Sequence, residues 1–216
     1  MGHMSQLKQE YRQLMDRLDH HAVAMPRPED ERALEGWREL LELMYTPEEA
    51  KLASRMPMMP TPLSRLAKRY NVPQEELQRK LEPLCEKGLV MDLLSAKTGE
   101  RKYLLAPPVV GFFEFSMMRA HDMFDKLSVA KAMDAYMHGD DTFAMEVFGN
   151  DTVIGRAMVH EDVLAANVPE VLDWERTTQL IEDAEQIAVS HCYCRHKADH
   201  LGKACDTPQE ICLSLN

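Results

Sequence analysis

Four of the chain's five cysteines fall within 23 residues, SHCYCRHKADHLGKACDTPQEIC, at Cys192, Cys194, Cys205 and Cys212. Their spacing is C-x-C-x10-C-x6-C. Four convergent thiolates suit tetrahedral zinc or an iron–sulfur cluster. Zinc sites more often begin with C-x2–4-C knuckles, and the ferredoxin run C-x2-C-x2-C-x3-C is absent, so spacing leaves both chemistries open. A reactive dithiol pair stays open beside them. His191, His196 and His200 share the stretch and could replace a cysteine in a zinc site. As isolated histidines they read as solvated loop residues.

Local signals suggest how these thiols are positioned. If Cys192-Tyr193-Cys194 is extended, residues two apart point to the same side, and both sulfurs face one ion. Arg195, His196, Lys197, His200 and Lys203, with Gly202 for a turn, make a positively charged loop. Thr207-Pro208-Gln209-Glu210 carries a helix N-terminal signature of cap, proline and glutamate. It predicts Cys205 just ahead of a helix and Cys212 inside it, leaning back toward the N-terminus. The helix dipole and nearby cations would then lower the thiolate pKa values. Cys85, alone between Leu84 and Glu86, reads as a small buried hydrophobe outside the site.

The stretch AEQIAVSHCYCRHKADHLGKACDTPQEIC resembles a segment of a prokaryotic family of cytosolic ferredoxin-like iron–sulfur proteins. There, a helical, winged-helix-like region leads into a C-x-C-R…G-K-x-C-D-x-P-x-E-x-C element, and ferredoxin-type 4Fe–4S repeats usually follow. YTPEEAKLASRMP and APPVVGFFEFSMMR resemble it more weakly, so the similarity runs from about Arg38 onward. The resemblance implies electron transfer or redox coupling through a 4Fe–4S cluster, with Cys192, Cys194, Cys205 and Cys212 as ligands. The sequence departs from the family in carrying no ferredoxin repeat before Asn216. A single cluster needs a partner to pass electrons onward.

The elements upstream must hold this unit. The chain has 216 residues, 45% hydrophobic and 28% charged, with a formal charge of −11, which fits a globular protein and argues against a generic nucleic-acid binder. Its sixteen methionines read as flexible core filler. No apolar run approaches a membrane span; the best, Leu104 to Phe113, is short and broken by Pro107 and Pro108. The polar start MGHMSQLKQEYRQ lacks a secretory signal, so the expected location is cytoplasmic, where thiols stay reduced.

The predicted fold class is mainly α with small β elements (α+β). Residues 1–45 read as two helices, with Leu7, Tyr11, Leu14, Met15 and Leu18 at helical spacing on the first and Trp37, Leu40, Leu41 and Met44 on the second. Residues 46–106 read as a winged helix-turn-helix-like domain. Thr46-Pro47-Glu48-Glu49 opens one helix and Thr61-Pro62 a second; QEELQRKLEPLCEKG is a third, ended by Gly88, and a hairpin comes next around Lys97-Thr98-Gly99-Glu100. Residues 107–216 read as a helical and mixed region ending in the cysteine cluster at 186–216. A long helix is expected over about 109–138, its buried face formed by Phe113, Met117, Phe124, Leu127 and Met133. TFAMEVFGNDTVIGRAMV has no firm reading beyond a strand pair, Asp173 to Glu185 reads as a helix, and QIAVSH as a short strand.

From Pro47 to Ala106 there are eleven Lys and Arg against eight Asp and Glu. Arg65, Lys68, Arg69, Arg79 and Lys80 could reach phosphates, and Gln74, Gln78 and Arg79 could reach base edges. The surplus of three cations is small for counterion-driven binding. Pro83 also sits inside the third helix. A protein–protein or dimerisation module is the favoured use, with a homodimer open. Hydrolase and nucleotide motifs are absent, and His138, Asp140 and Asp141 read as a solvated helix end, so no catalytic residue is nominated and an autonomous enzyme is not expected.

The leading expectation is a 4Fe–4S accessory or electron-transfer module that docks on a redox partner. The alternatives are a redox- or metal-responsive winged-helix regulator that binds DNA, and a zinc-stapled interaction domain.

Overall fold

In the computed structural model, which describes residues 8–19, 25–95, 97–119, 122–149 and 174–215, the chain is mainly helical with small antiparallel sheets. The N-terminal amphipathic runs form α1 (Gln9–Asp19) and α2 (Glu31–Met44). Asp30 caps α2, accepting from the amides of Arg32 at 2.8 Å and Ala33 at 3.1 Å; such a cap contributes ~1 kcal/mol. α3 (Pro47–Ala53) begins with a capping box. The Thr46 amide donates to Glu49 Oε2 at 2.8 Å and the Glu49 amide to Thr46 Oγ1 at 3.2 Å.

The order then runs β1 (Thr61–Pro62), α4 (Leu63–Tyr70), α5 (Gln74–Glu86), β2 (Val90–Leu94) and β3 (Arg101–Leu105). Thr61 and Pro62 do not open α4 as expected. They pair with β3, opposite Tyr103 and Lys102, and make the sheet order β1-β3-β2. Proline is tolerated there because an edge strand need not donate to the ladder. Pro83 lies within α5 without ending it. After α5, Gly88 takes φ +78, and a Cβ there would come 2.7 Å from that of Phe115. Both the turn and the close approach therefore need glycine.

The single helix expected over 109–138 is broken. A π-helical turn (Pro108–Phe112) runs into α6 (Phe113–Met118), and α7 (Lys126–His138) starts afresh. Arg119 is extended, and Asp125 caps the new helix by accepting from the Ser128 amide at 2.9 Å. The break re-phases the chain: Phe113, Met117, Phe124 and Met133 are buried, whereas Leu127 is exposed. TFAMEVF forms α8 (Thr142–Phe148), not a strand; the rest of that unassigned run, from 150, lies outside the described residues. α9 (Trp174–Glu182) falls within the predicted helix.

A contiguous apolar core draws on α1 to α8, β2 and β3, from Tyr11 to Val147. Its centre is Tyr136 of α7, whose ring lies 5.9 Å from Trp37, 6.1 Å from Phe113 and 5.4 Å from Phe143. The Tyr136 hydroxyl donates to the Pro26 carbonyl at 2.9 Å. α2 and α7 approach closely because their contact is built from small residues: a Cβ on Gly36 would stand 2.8 Å from the Ala135 Cβ. Among the described residues no helix is long and apolar enough to cross a membrane.

Candidate metal centre

The cysteine-bearing residues form one β–α–β unit: β4 (Ile187–His191), α10 (Tyr193–His200) and β5 (Glu210–Leu215). β4 and β5 pair antiparallel, which brings Cys212 opposite Ser190, two residues before Cys192. α10 packs on α6 and α7. Tyr193 anchors it, packing against the core with its hydroxyl 3.6 Å from Met137 Sδ. Asp134 of α7 holds the other side, 3.8 Å from Lys197 Nζ and 3.6 Å from Lys203 Nζ.

Two local expectations are corrected. Cys192-Tyr193-Cys194 is not extended: Cys192 is the N-cap of α10 and Cys194 lies in its first turn. The Thr207-Pro208-Gln209-Glu210 signature does not start a helix, and Cys212 stands on β5. The five residues after the signature override it. Ile211-Cys212-Leu213-Ser214-Leu215 alternates apolar and small polar residues, a strand pattern, and finds its partner in β4.

Cys205 lies in the connection between α10 and β5, exposed, with its sulfur 2.6 Å from Thr207 Oγ1. Two bonds close that connection at its base: the Cys192 amide donates to the Gln209 carbonyl at 2.6 Å, and Arg195 Nη1 to the Pro208 carbonyl at 2.7 Å. All five cysteines are unbridged. The hydrogen bond from Thr207 holds the Cys205 thiol below its ordinary pKa, which favours its thiolate. Partial desolvation, and after it the neighbouring Cys192, pushes the Cys194 thiol up. Burial pushes Cys85 up to about 12, as befits an inert structural thiol.

Among the described residues no three His, Cys, Asp or Glu side chains stand together in a way that could hold a metal ion. The donor set nevertheless suits a soft metal or cluster, being four unbridged thiols on one unit with Cys194 and Cys205 open to solvent.

The histidines are not isolated loop residues. His196 and His200 lie four apart on α10 with their Nε2 atoms 3.2 Å apart. His196 Nδ1 lies 2.6 Å from the Met117 carbonyl of α6. The His191 ring lies 5.2 Å from that of His196. Burial holds His196 below the ordinary histidine pKa. The H-x3-H spacing carried this signal, but it counts only once the segment is known to be helical.

Three of the seven residues proposed for DNA are engaged within α5. Lys80 pairs with Glu76 at 2.5 Å, Arg79 Nε donates to the Glu75 carbonyl and Gln78 bonds Glu82. α5 itself carries Glu75, Glu76, Glu82 and Glu86 against Arg79 and Lys80. Arg65, Lys68 and Arg69 on α4 and Gln74 at the start of α5 are exposed. His138 pairs with Asp134, and Asp140 accepts the amides of Glu29, Asp30 and Thr142, a helix-end arrangement. No family model, curated protein or solved structure matches the chain.

Proposed function

We propose that the chain is an iron–sulfur accessory module of the reducing cytoplasm, holding a 4Fe–4S cluster on Cys192, Cys194, Cys205 and Cys212. The observation that carries this reading is the return of β5 alongside β4, which sets Cys212 beside the start of α10, where Cys192 and Cys194 stand. Thiolate ligation is the ordinary way such clusters are held, and the bound cluster supplies single-electron exchange. The chain's own residues provide the docking. One face of the β4–β5 sheet exposes Ile187, Val189, Leu213 and Leu215, with Ile211 at the bulge. Asp183 and Glu185, just before β4, and Glu210, at the start of β5, are exposed acids of the same unit. That chemistry fits a redox protein with an apolar patch rimmed by lysine or arginine.

Purification without oxygen, then iron, sulfide and zinc analysis, tests the reading. About four iron and four sulfide per chain are expected, lost in Cys192→Ser and in Cys212→Ser. One zinc without sulfide makes the unit a structural staple, stable only with its metal.

A second reading has one observation in its favour. The order α3-β1-α4-α5-β2-β3, with β3 between its neighbours, supports a winged helix. A metal- or redox-responsive DNA regulator would be its function. The acidic α5 weighs against it, since phosphate binding needs a positive footprint. Absence of DNA binding even at low salt removes this reading.

A further inference from the structure

We propose that His196 and His200 form a second metal site, separate from the four cysteines, that takes one divalent ion of the imidazole-preferring kind: zinc, nickel or copper. Three features carry it. Residues four apart on a helix share a face, the arrangement by which helical histidine pairs clasp zinc. The two Nε2 atoms are 3.2 Å apart. Two nitrogens at ~2.1 Å from one tetrahedral ion stand roughly 3.4 Å apart, so the pair is already spaced for a shared ion.

The third feature is the orientation of His196. Its Nδ1 faces the Met117 carbonyl at 2.6 Å, and a carbonyl only accepts, so Nδ1 carries the proton. The neutral ring then directs the Nε2 lone pair at His200. A backbone carbonyl behind a ligating histidine is the usual outer-shell support of a metal site. Without metal, His200 Nε2–H donates to that lone pair. With metal, the His200 Nε2 gives up that proton and both lone pairs meet the ion.

The surroundings set the strength. Asp125 lies near enough to His200 to favour a cation, and Lys126 near enough to His196 to oppose one. No third His, Cys, Asp or Glu among the described residues completes the set. Water fills the remaining positions and the ion stays exchangeable. Binding would fasten α10, at the base of the cysteine unit, through His196 to α6.

Titrating the full chain with nickel, free of chelators and oxygen, tests the site. Apart from any ion held by the cysteines, one ion per chain is expected that binds without the intense charge-transfer absorption of thiolate ligation. His200→Gln should weaken this thiolate-free binding at least tenfold. Nickel should also protect His196 and His200 of the unaltered chain from carbethoxylation, read by peptide mass, which needs no variant to fold. Thiolate-free binding that survives His200→Gln, or absent protection, overturns the proposal. The spectrum separates the two sites, because nickel on the cysteines absorbs intensely by charge transfer and nickel on the histidines does not, so failure here leaves the cluster reading standing.

Discussion

Lys126 is a half-buried cation. Its amine donates to the Ser116 carbonyl at 2.5 Å and to the Arg119 carbonyl at 3.3 Å, and lies 4.5 Å from the Phe124 ring centre. Burial lowers its pKa from 10.5 to about 8, with Asp122 pulling the other way. Below pH 8 the amine is charged whether the chain is folded or not. Between about 8 and 10.5 the folded chain gives up the proton while the unfolded chain keeps it. The unfolded state then binds more protons, so this group's contribution to stability rises with pH across that window. The size of the rise is reduced by the solvent that still reaches the amine. Melting temperatures of the unaltered protein and Lys126→Met, compared at pH 7.5, 8.5 and 9.5, should show the unaltered protein gaining on the variant. A constant difference would mean that the amine titrates alike in both states.

At the scale of elements, the contact between α2 and α7 is the tightest test of packing. A Cβ on Gly36 would meet the Tyr136 amide nitrogen at 2.8 Å and the Ala132 carbonyl at 3.0 Å. Backbone cannot step aside as a side-chain tip can. Gly36→Ala should therefore lose about 2 kcal/mol by overpacking, outweighing the ~1 kcal/mol that alanine gains in helix propensity. Urea unfolding measures it, and a variant as stable as the parent would show that the two helices slide apart freely. Elements were legible in the sequence where neighbouring residues determine them. The Thr46–Glu49 capping box and the Gly88 stop each need only a few adjacent positions. β1 was not, because the partners of Thr61 and Pro62 lie some forty residues on, at Tyr103 and Lys102. Cys212 was misplaced for the same reason: a local helix signature at Thr207 lost to a strand partner at Ser190. The cysteines could be chosen by type and spacing alone. The histidine pair could not, because it needs α10.

For the chain as a unit, the question is why a net charge of −11 coexists with apolar side chains left in solvent. Val189 is 62% exposed and Leu213, directly opposite, 49%. With Ile187, Ile211 and Leu215 they make an exposed apolar patch, and contiguous patches of this kind often serve binding. About 800 Å² per partner is usual in a stable complex, so the patch suits the centre of an interface with a polar rim. Replacing the pair by Val189→Lys with Leu213→Glu sets opposite charges across the strands, an arrangement the sheet accepts. Stability should stay within about 0.5 kcal/mol of the parent, since both side chains face water. Iron and sulfide loading should also be unchanged, while retention on a hydrophobic column and fluorescence of an apolar dye fall. A stability loss of several kcal/mol would instead mean that the chain itself covers this face, and the site where a partner meets the cysteine unit would have to be sought along α10.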